Sequence, residues 1–365
     1  MPTNEKLILL AAGGTGGHLF PAQALADALQ KRGAAIELAT DARAAHFKFP
    51  ARAVHLIASA TLRGRDPLAL ARTATLLTLG TAKAWLLLGR VRPAAVVGFG
   101  GYPTVPPLFA ASLRGIPTVL HEQNGVMGRA NRLLAARVTA IATGFRTLTR
   151  LDPRLQSKIT FTGNPVRQEV IAAAAAPYAA PEANGKLRLL VFGGSQGARV
   201  MAEIVPAAIE RLAADLRARL GVVQQARGED LETVRGTYAR LGVAAECAPF
   251  FADLPARMAA AHLVISRSGA STVAELSAIG RPAILVPLPH SLDQDQFVNA
   301  GALESAGGAI RIEQRDFTPQ RLASEISKLA GDPALLVRMA QAAKSAGSLD
   351  AAERLADLVL KVARI

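Results

Sequence analysis

The chain has 365 residues, half of them hydrophobic and 19% charged, with a mean hydropathy of +0.25. At about 100–200 residues per domain this is a two-domain chain with ample core, which excludes disorder, and its single cysteine, Cys247, excludes a disulfide framework or a cysteine metal cluster. The net charge of +14 is lopsided: residues 1–165 hold 20 Lys and Arg against 7 Asp and Glu, residues 166–365 hold 22 against 21. A basic half joined to a neutral one calls for an anionic partner: nucleic acid, an acidic membrane surface or a phosphorylated substrate.

In chain order, residues 1–6 show no basic stretch leading to an apolar run and cleavage site, so a protein of the cytosolic side is expected. Residues 7–14 read as an apolar strand entering a glycine turn, followed by an amphipathic helix over 21–32. The same unit returns 180 residues later: Leu7, Leu9, Leu10, Gly13, Gly14 and Gly17 match Leu187, Leu189, Leu190, Gly193, Gly194 and Gly197, with a helix over 200–212. Further short β-rich runs at 94–99, 118–121, 139–143, 220–224, 263–266 and 283–286 alternate with helical stretches. Such alternation predicts an α/β protein of two Rossmann-like domains, each a parallel sheet covered by helices, facing one another across a cleft. The join is expected near 163–166. The first domain is then 1–165, with the final helix, 346–365, packing back on it, and the second is 166–345.

Two apolar stretches invite a membrane-spanning reading. Residues 93–113 are uncharged and long enough, since about 20 apolar residues suffice, but they contain Gly98, Gly100, Gly101, Pro103, Pro106 and Pro107. Residues 67–88 have a helical period but carry Arg72 and Lys83. Neither spans. The second stretch instead places Leu70, Leu77 and Leu88 near one face, with Trp85 close by and Arg63, Arg65, Arg90 and Arg92 at its ends. That pattern fits a surface-lying contact with an anionic membrane, and equally a helix packed on its own sheet.

A glycine turn between strand and helix lets backbone amides approach an anion at a helix N-terminus, and it also serves close strand–helix packing. Neither copy fits Gly-x-Gly-x-x-Gly or the Gly-Lys-Ser/Thr of a P-loop, which argues against dehydrogenases and ATPases. Only 4% of residues are aromatic and no recognition motif appears, which argues against a nucleic-acid binder.

Polar clusters fall where strands end: 98–102 (Gly-Phe-Gly-Gly-Tyr), 121–125 (His-Glu-Gln-Asn-Gly), 163–167 (Gly-Asn-Pro-Val-Arg), 266–275 and 289–296. With Gly-Gly-Thr-Gly-Gly-His at 13–18 and Gly-Gly-Ser-Gln-Gly-Ala at 193–198, this set resembles the GT-B glycosyltransferases of family 28 that serve bacterial peptidoglycan synthesis. The likeness covers essentially the whole chain. It implies inverting transfer of N-acetylglucosamine from UDP-GlcNAc to the muramoyl-pentapeptide of an undecaprenyl-pyrophosphoryl acceptor, at the cytoplasmic face of the inner membrane. A related GT-B enzyme making another glycolipid is the alternative.

Carried over residue by residue, the resemblance implies that Ser195 and Arg167 hold the UDP pyrophosphate, Arg by its planar fork of donors. Glu275 would accept from the ribose, above the turn and helix start formed by Ala270, Ser271, Thr272, Val273 and Ala274. Phe251 would lie at uracil. Gln296 and Asn124 would read the sugar, with Thr15, Gly16 and Gly17 closing over it. Gly13, Gly14, Gly100, Gly101 and Tyr102 would meet the acceptor diphosphate. His18 is the first choice for the base that takes the acceptor's hydroxyl proton, because a helix N-terminus keeps imidazole neutral; Glu122 is the second. Asp293-Gln294-Asp295 imitates the Asp-x-Asp of metal-dependent transferases but lies in the sugar-contacting loop, so no metal and no other cofactor is expected.

Overall fold

The computed structural model describes residues 6–13, 16–44, 47–58, 67–182, 184–194 and 197–365, with backbone only at 44, 67–70 and 292. The chain divides into two compact units, residues 1–167 with 349–365, and residues 168–348.

The first unit runs β1 (Leu7–Ala11), α1 (Gly16–Gln30), β2 (Ala35–Thr40), β3 (Ala53–Leu56), α2 (Pro67–Val91), β4 (Ala95–Gly98), α3 (Val105–Leu113), β5 (Thr118–Glu122), α4 (Arg129–Ala135), β6 (Ala140–Thr143) and β7 (Ile159–Phe161). The second runs α5 (Gln168–Ala173), β8 (Leu187–Phe192), α6 (Arg199–Glu210), α7 (Ala214–Ala218), β9 (Leu220–Gln225), α8 (Gly228–Arg240), β10 (Ala244–Ala248), α9 (Leu254–Ala260), β11 (Leu263–Ser266), α10 (Ala270–Ile279), β12 (Ala283–Leu285), α11 (Asp295–Ser305), β13 (Ala309–Arg311), α12 (Pro319–Ala330) and α13 (Pro333–Ala346). The last helix, α14 (Ala351–Ala363), returns to the first unit, where Arg32 pairs with its Glu353 at 2.6 Å.

Both sheets are parallel throughout, in the orders β3-β2-β1-β4-β5-β6-β7 and β10-β9-β8-β11-β12-β13. A parallel sheet is covered on both faces, so its central strands carry unbroken apolar runs; Leu7–Ala11 is buried at every residue. In the first unit α1 and α14 cover one face, with Leu25, Leu29, Leu355 and Val359 in the core, while Leu87, Leu88, Leu108 and Leu134 cover the other. In the second, Val205, Ile209, Leu322 and Ile326 join the strands in a single core.

The strand order fixes where ligands can sit. Each order reverses beside its first strand, between β1 and β4 and between β8 and β11, and an open parallel sheet binds in the crevice at that switch, beyond the carboxyl ends of the strands. The chain leaves β1 through Gly13 and β8 through Gly193 and Gly194 at these switch points. One boundary differs from expectation: α1 starts at Gly16, not Pro21, and Pro21 lies inside it, where it has no N–H to donate to the Gly17 carbonyl one turn back. Gly16, Gly17 and His18 therefore form its first turn.

Candidate active site

At the first switch point, the half-buried imidazole of His18 lies among three glycines. A Cβ added at Gly13, Gly100 or Gly101 would come within 3.4–3.5 Å of its ring. Gly100 and Gly101 have φ of 84° and 76°, a left-handed path that favours glycine, and two clasps hold them there. Gln123 Nε2 donates to Phe99 O at 2.7 Å, and Thr104 Oγ1 donates to Gly100 O at 2.6 Å. Tyr102 follows, partly exposed, in a short 3-10 turn. Burial pushes the His18 pKa below its ordinary 6.5, against opposing pulls from Phe99 and Gln123, and Nδ1 has no hydrogen-bond partner among the described residues. The ring is thus uncharged at neutral pH.

Glu122 ends β5 and is 1% exposed. Burial pushes its pKa up, yet its two oxygens accept from four donors: Asn124 N at 2.9 Å and Nδ2 at 3.3 Å, Gly128 N at 2.9 Å and Asn131 Nδ2 at 2.6 Å. A carboxylate so surrounded organises the 123–131 loop, its oxygens already engaged by these four donors. Asn124, half-buried, is tied into that loop through Glu122. Arg167 lies with its guanidinium 4.2 Å from the ring of Phe20, which itself packs on Gly16, so Arg167 belongs to the α1 N-terminal cluster. Gly14 and Thr15 lie outside the described residues.

In the second unit the β8 turn admits only glycine at Gly193, where a Cβ would stand 2.3 Å from Ala198 N. Gly194 and Gly197 take φ of 89° and 68°. Ser195 lies outside the described residues. At the same switch point α10 opens after Gly269, bringing Ala270, Ser271, Thr272, Val273 and Ala274 into its first turns and burying Glu275 to 7%. Ser268 Oγ donates to Gln296 O at 2.8 Å, and Gln296 Oε1 accepts from Leu288 N at 3.1 Å, which leaves the Gln296 amide NH2 as its donor. Phe251 is buried with the Arg257 guanidinium 4.3 Å over its ring.

The Asp-x-Asp loop is occupied with its own backbone. Asp293 and Gln294 both have φ of 59°, and Asp295 accepts from Gln296 N at 2.7 Å while burial pushes its pKa up. Among the described residues no group of three or more His, Cys, Asp or Glu could hold a metal ion.

The face of α2 divides the expected membrane residues. Leu70 lies outside the described side chains. Leu77 and Trp85 line an apolar groove of about 580 Å³ with Val105, Phe109 and Leu133, and Arg114 sits 4.3 Å over the Trp85 ring. Leu88 is 1% exposed and belongs to the core; its expected place on the surface is corrected, because α2 turns that residue onto the sheet. Leu79 and Leu86, 58% and 73% exposed, hold the outer face instead. No helix among the described residues is long and apolar enough to cross a membrane.

Sequence reasoning missed Phe20, Gln123, Asn131 and Ser268, which act through the residues it named. Gln123 and Ser268 lay inside the motifs at 121–125 and 266–275, whereas Phe20 and Asn131 lay outside any motif.

Residues 8–143 match the glycosyltransferase family 28 N-terminal domain and residues 188–355 its C-terminal domain. A protein of Rhodopseudomonas palustris (strain BisB18), named UDP-N-acetylglucosamine--N-acetylmuramyl-(pentapeptide) pyrophosphoryl-undecaprenol N-acetylglucosamine transferase, is 64% identical over 98% of this chain and 96% of its own. One of the same name from Nitrobacter hamburgensis is 60% identical over 100% and 99%. The crystal structure of Acinetobacter baumannii MurG is 28% identical and superposes with a TM-score of 0.78 over 98% of this chain and 99% of that one. A UDP-GlcNAc 2-epimerase from Neisseria meningitidis, 15% identical with a TM-score of 0.67, shares the fold. The chain is an enzyme of glycosyltransferase family 28, with the two-unit GT-B fold.

Proposed function

We propose that the chain transfers N-acetylglucosamine from UDP-GlcNAc to the muramoyl-pentapeptide of an undecaprenyl-pyrophosphoryl acceptor, in peptidoglycan synthesis. The observation that carries this is the end-to-end likeness, at 60–64% identity, to proteins named for that transfer. The reaction is a single inverting displacement. An acceptor hydroxyl oxygen bonds to the anomeric carbon, the bond from that carbon to the UDP phosphate oxygen breaks, and UDP leaves with the electron pair. His18 takes the hydroxyl proton; its lowered pKa and its place among Gly13, Gly100 and Gly101 suit it to that task, and those glycines with Gly14 and Tyr102 receive the acceptor diphosphate.

Arg167 and the amides from Ser195 onward hold the UDP phosphates, stabilising the charge that develops as UDP leaves without a metal ion. The first turns of α10, Ala270 to Ala274, lie beneath the phosphates, and Glu275 accepts from the ribose. Phe251 contacts uracil. Asn124 and the Gln296 amide read the sugar, with Thr15, Gly16 and Gly17 beside it. The basic first unit meets an anionic membrane surface through α2 and its groove, which makes the enzyme peripheral to the cytoplasmic face of the inner membrane.

Release of UDP, followed with the lipid-linked muramoyl-pentapeptide and in parallel with a diacylglycerol acceptor, tests the reading. Turnover on the first alone is expected. Turnover on the second alone selects the other glycolipid reading.

A further inference from the structure

The donor loops of the second unit leave different strands, and one side chain joins two of them. Gln225 closes β9, the strand between β10 and β8, and is 8% exposed. Its Oε1 accepts from Gly193 N at 3.3 Å, in the turn after β8. Its Nε2 donates to Pro249 O at 3.1 Å, in the loop after β10 that continues into Phe251. An amide accepts on one side and donates on the other in a fixed plane, and both loop groups are backbone atoms that no side-chain change elsewhere could replace. The neighbouring Gln224 is fixed separately, donating to Met201 O at 3.2 Å and accepting from Tyr238. Gln225 is therefore the group that sets one loop against the other.

We infer that Gln225 is a positioning residue for the UDP moiety, holding the phosphate-side turn at Gly193–Gly194 and the base-side loop at 249–251 in the spacing that a nucleoside diphosphate requires. This rests on the reading that the second unit binds the donor. A nucleoside diphosphate spans both loops, so a site with them already fixed gains affinity that a site with independent loops spends on ordering. Neither the acceptor nor the proton transfer depends on that spacing.

The test compares the full-length enzyme with Gln225→Met, which keeps the volume and removes both hydrogen bonds, and Gln225→Glu, which keeps the acceptor for Gly193 N but sets an oxygen against Pro249 O. Loss of two net hydrogen bonds corresponds to about a tenfold effect. The KM for UDP-GlcNAc and the calorimetric Kd for UDP should rise about tenfold in both variants, with kcat and the acceptor KM within about twofold of the parent. Unchanged UDP affinity in a folded variant, or a parallel rise in the acceptor KM, overturns the inference. Hydrogen exchange of the unaltered enzyme gives a reading that does not depend on a variant folding. Uridine, which reaches only the base-side loop, should slow exchange at Gly193 and Gly194 as well as at Phe250 and Phe251, and protection confined to Phe250 and Phe251 overturns the coupling. If the parent enzyme binds UDP without protecting either loop, or binds no UDP, the donor reading has failed instead.

Discussion

At the scale of single residues, the chemistry turns on which groups are already spoken for. His18 and Glu122 both stood as candidate bases in the sequence, His18 first and Glu122 second. The two differ in their hydrogen bonds: four donors converge on Glu122, whereas His18 Nδ1 has no partner among the described residues. His18→Ala should lower kcat by about 10²–10⁴-fold while UDP binding persists, as calorimetry would report. Because burial lowers its pKa, the acid limb of kcat/KM should lie below pH 6.5 in the parent and vanish from the residual activity of the variant. Arg167→Ala should cost about 2–4 kcal/mol of transition-state stabilisation, the scale of one preorganised donor at a developing anion. Wild-type kcat/KM in that folded variant would remove Arg167 from the donor site.

At the scale of elements, the alternation of apolar runs and glycine turns was legible because buried parallel strands have no polar face to blur the signal. β4, β5, β6, β9, β11 and β12 all fall on runs visible in the sequence. The phase of α2 was not legible. Its leucines recur densely on both faces, and which of them face water is decided by the sheet beneath, so Leu88 was mistaken for surface while Leu79 and Leu86 went unnoticed. Burial of an exposed leucine in lipid is worth up to about 1.5–3 kcal/mol. Replacing Leu79 and Leu86 together by Ser should therefore weaken binding to anionic vesicles at least tenfold and slow turnover on the full-length lipid acceptor, sparing a short-chain soluble acceptor. Leu88→Ser should instead lower the melting temperature, since emptying a buried leucine site costs about 2–5 kcal/mol. Equal loss on both acceptors in the Leu79/Leu86 variant would take these residues off the membrane face.

At the scale of the whole molecule, two units of one architecture carry unequal charge, and the proposed reading gives the base and the acceptor's glycines to the basic one and the donor's turns to the neutral one. The repeat at an offset of 180 residues announced both units, but contacts such as Gln225 to Gly193 and Pro249 join residues far apart in the chain and left no local signal. Each unit also buries a histidine held neutral, His121 in the first and His262 in the second, both pushed down to about 4 by burial. The unfolded imidazole binds its proton near pH 6.5 and the folded one only near 4, so stability should fall as pH drops through that window and level off below it. For the fully buried His121 the loss is on the order of 3 kcal/mol, readable as a falling urea midpoint between pH 7 and 4. A flat midpoint would mean that these rings find water or a partner when charged.

The proposed reading assigns the leaving group's charge to Arg167 and backbone amides, with no metal ion. Exhaustive chelation should therefore leave most turnover, and its complete loss, restored by a divalent ion, would return Asp293 and Asp295 to the role of ligands.

The product is the most direct witness to the account. After UDP-GlcNAc and the lipid-linked muramoyl-pentapeptide are incubated with the enzyme, mass and proton NMR of the isolated lipid should show one N-acetylglucosamine added per UDP released, joined to the muramoyl sugar with the anomeric coupling of a β-linkage. An α-linkage would contradict the single displacement, and free N-acetylglucosamine or an epimerised UDP-sugar in place of the disaccharide would contradict the transfer itself.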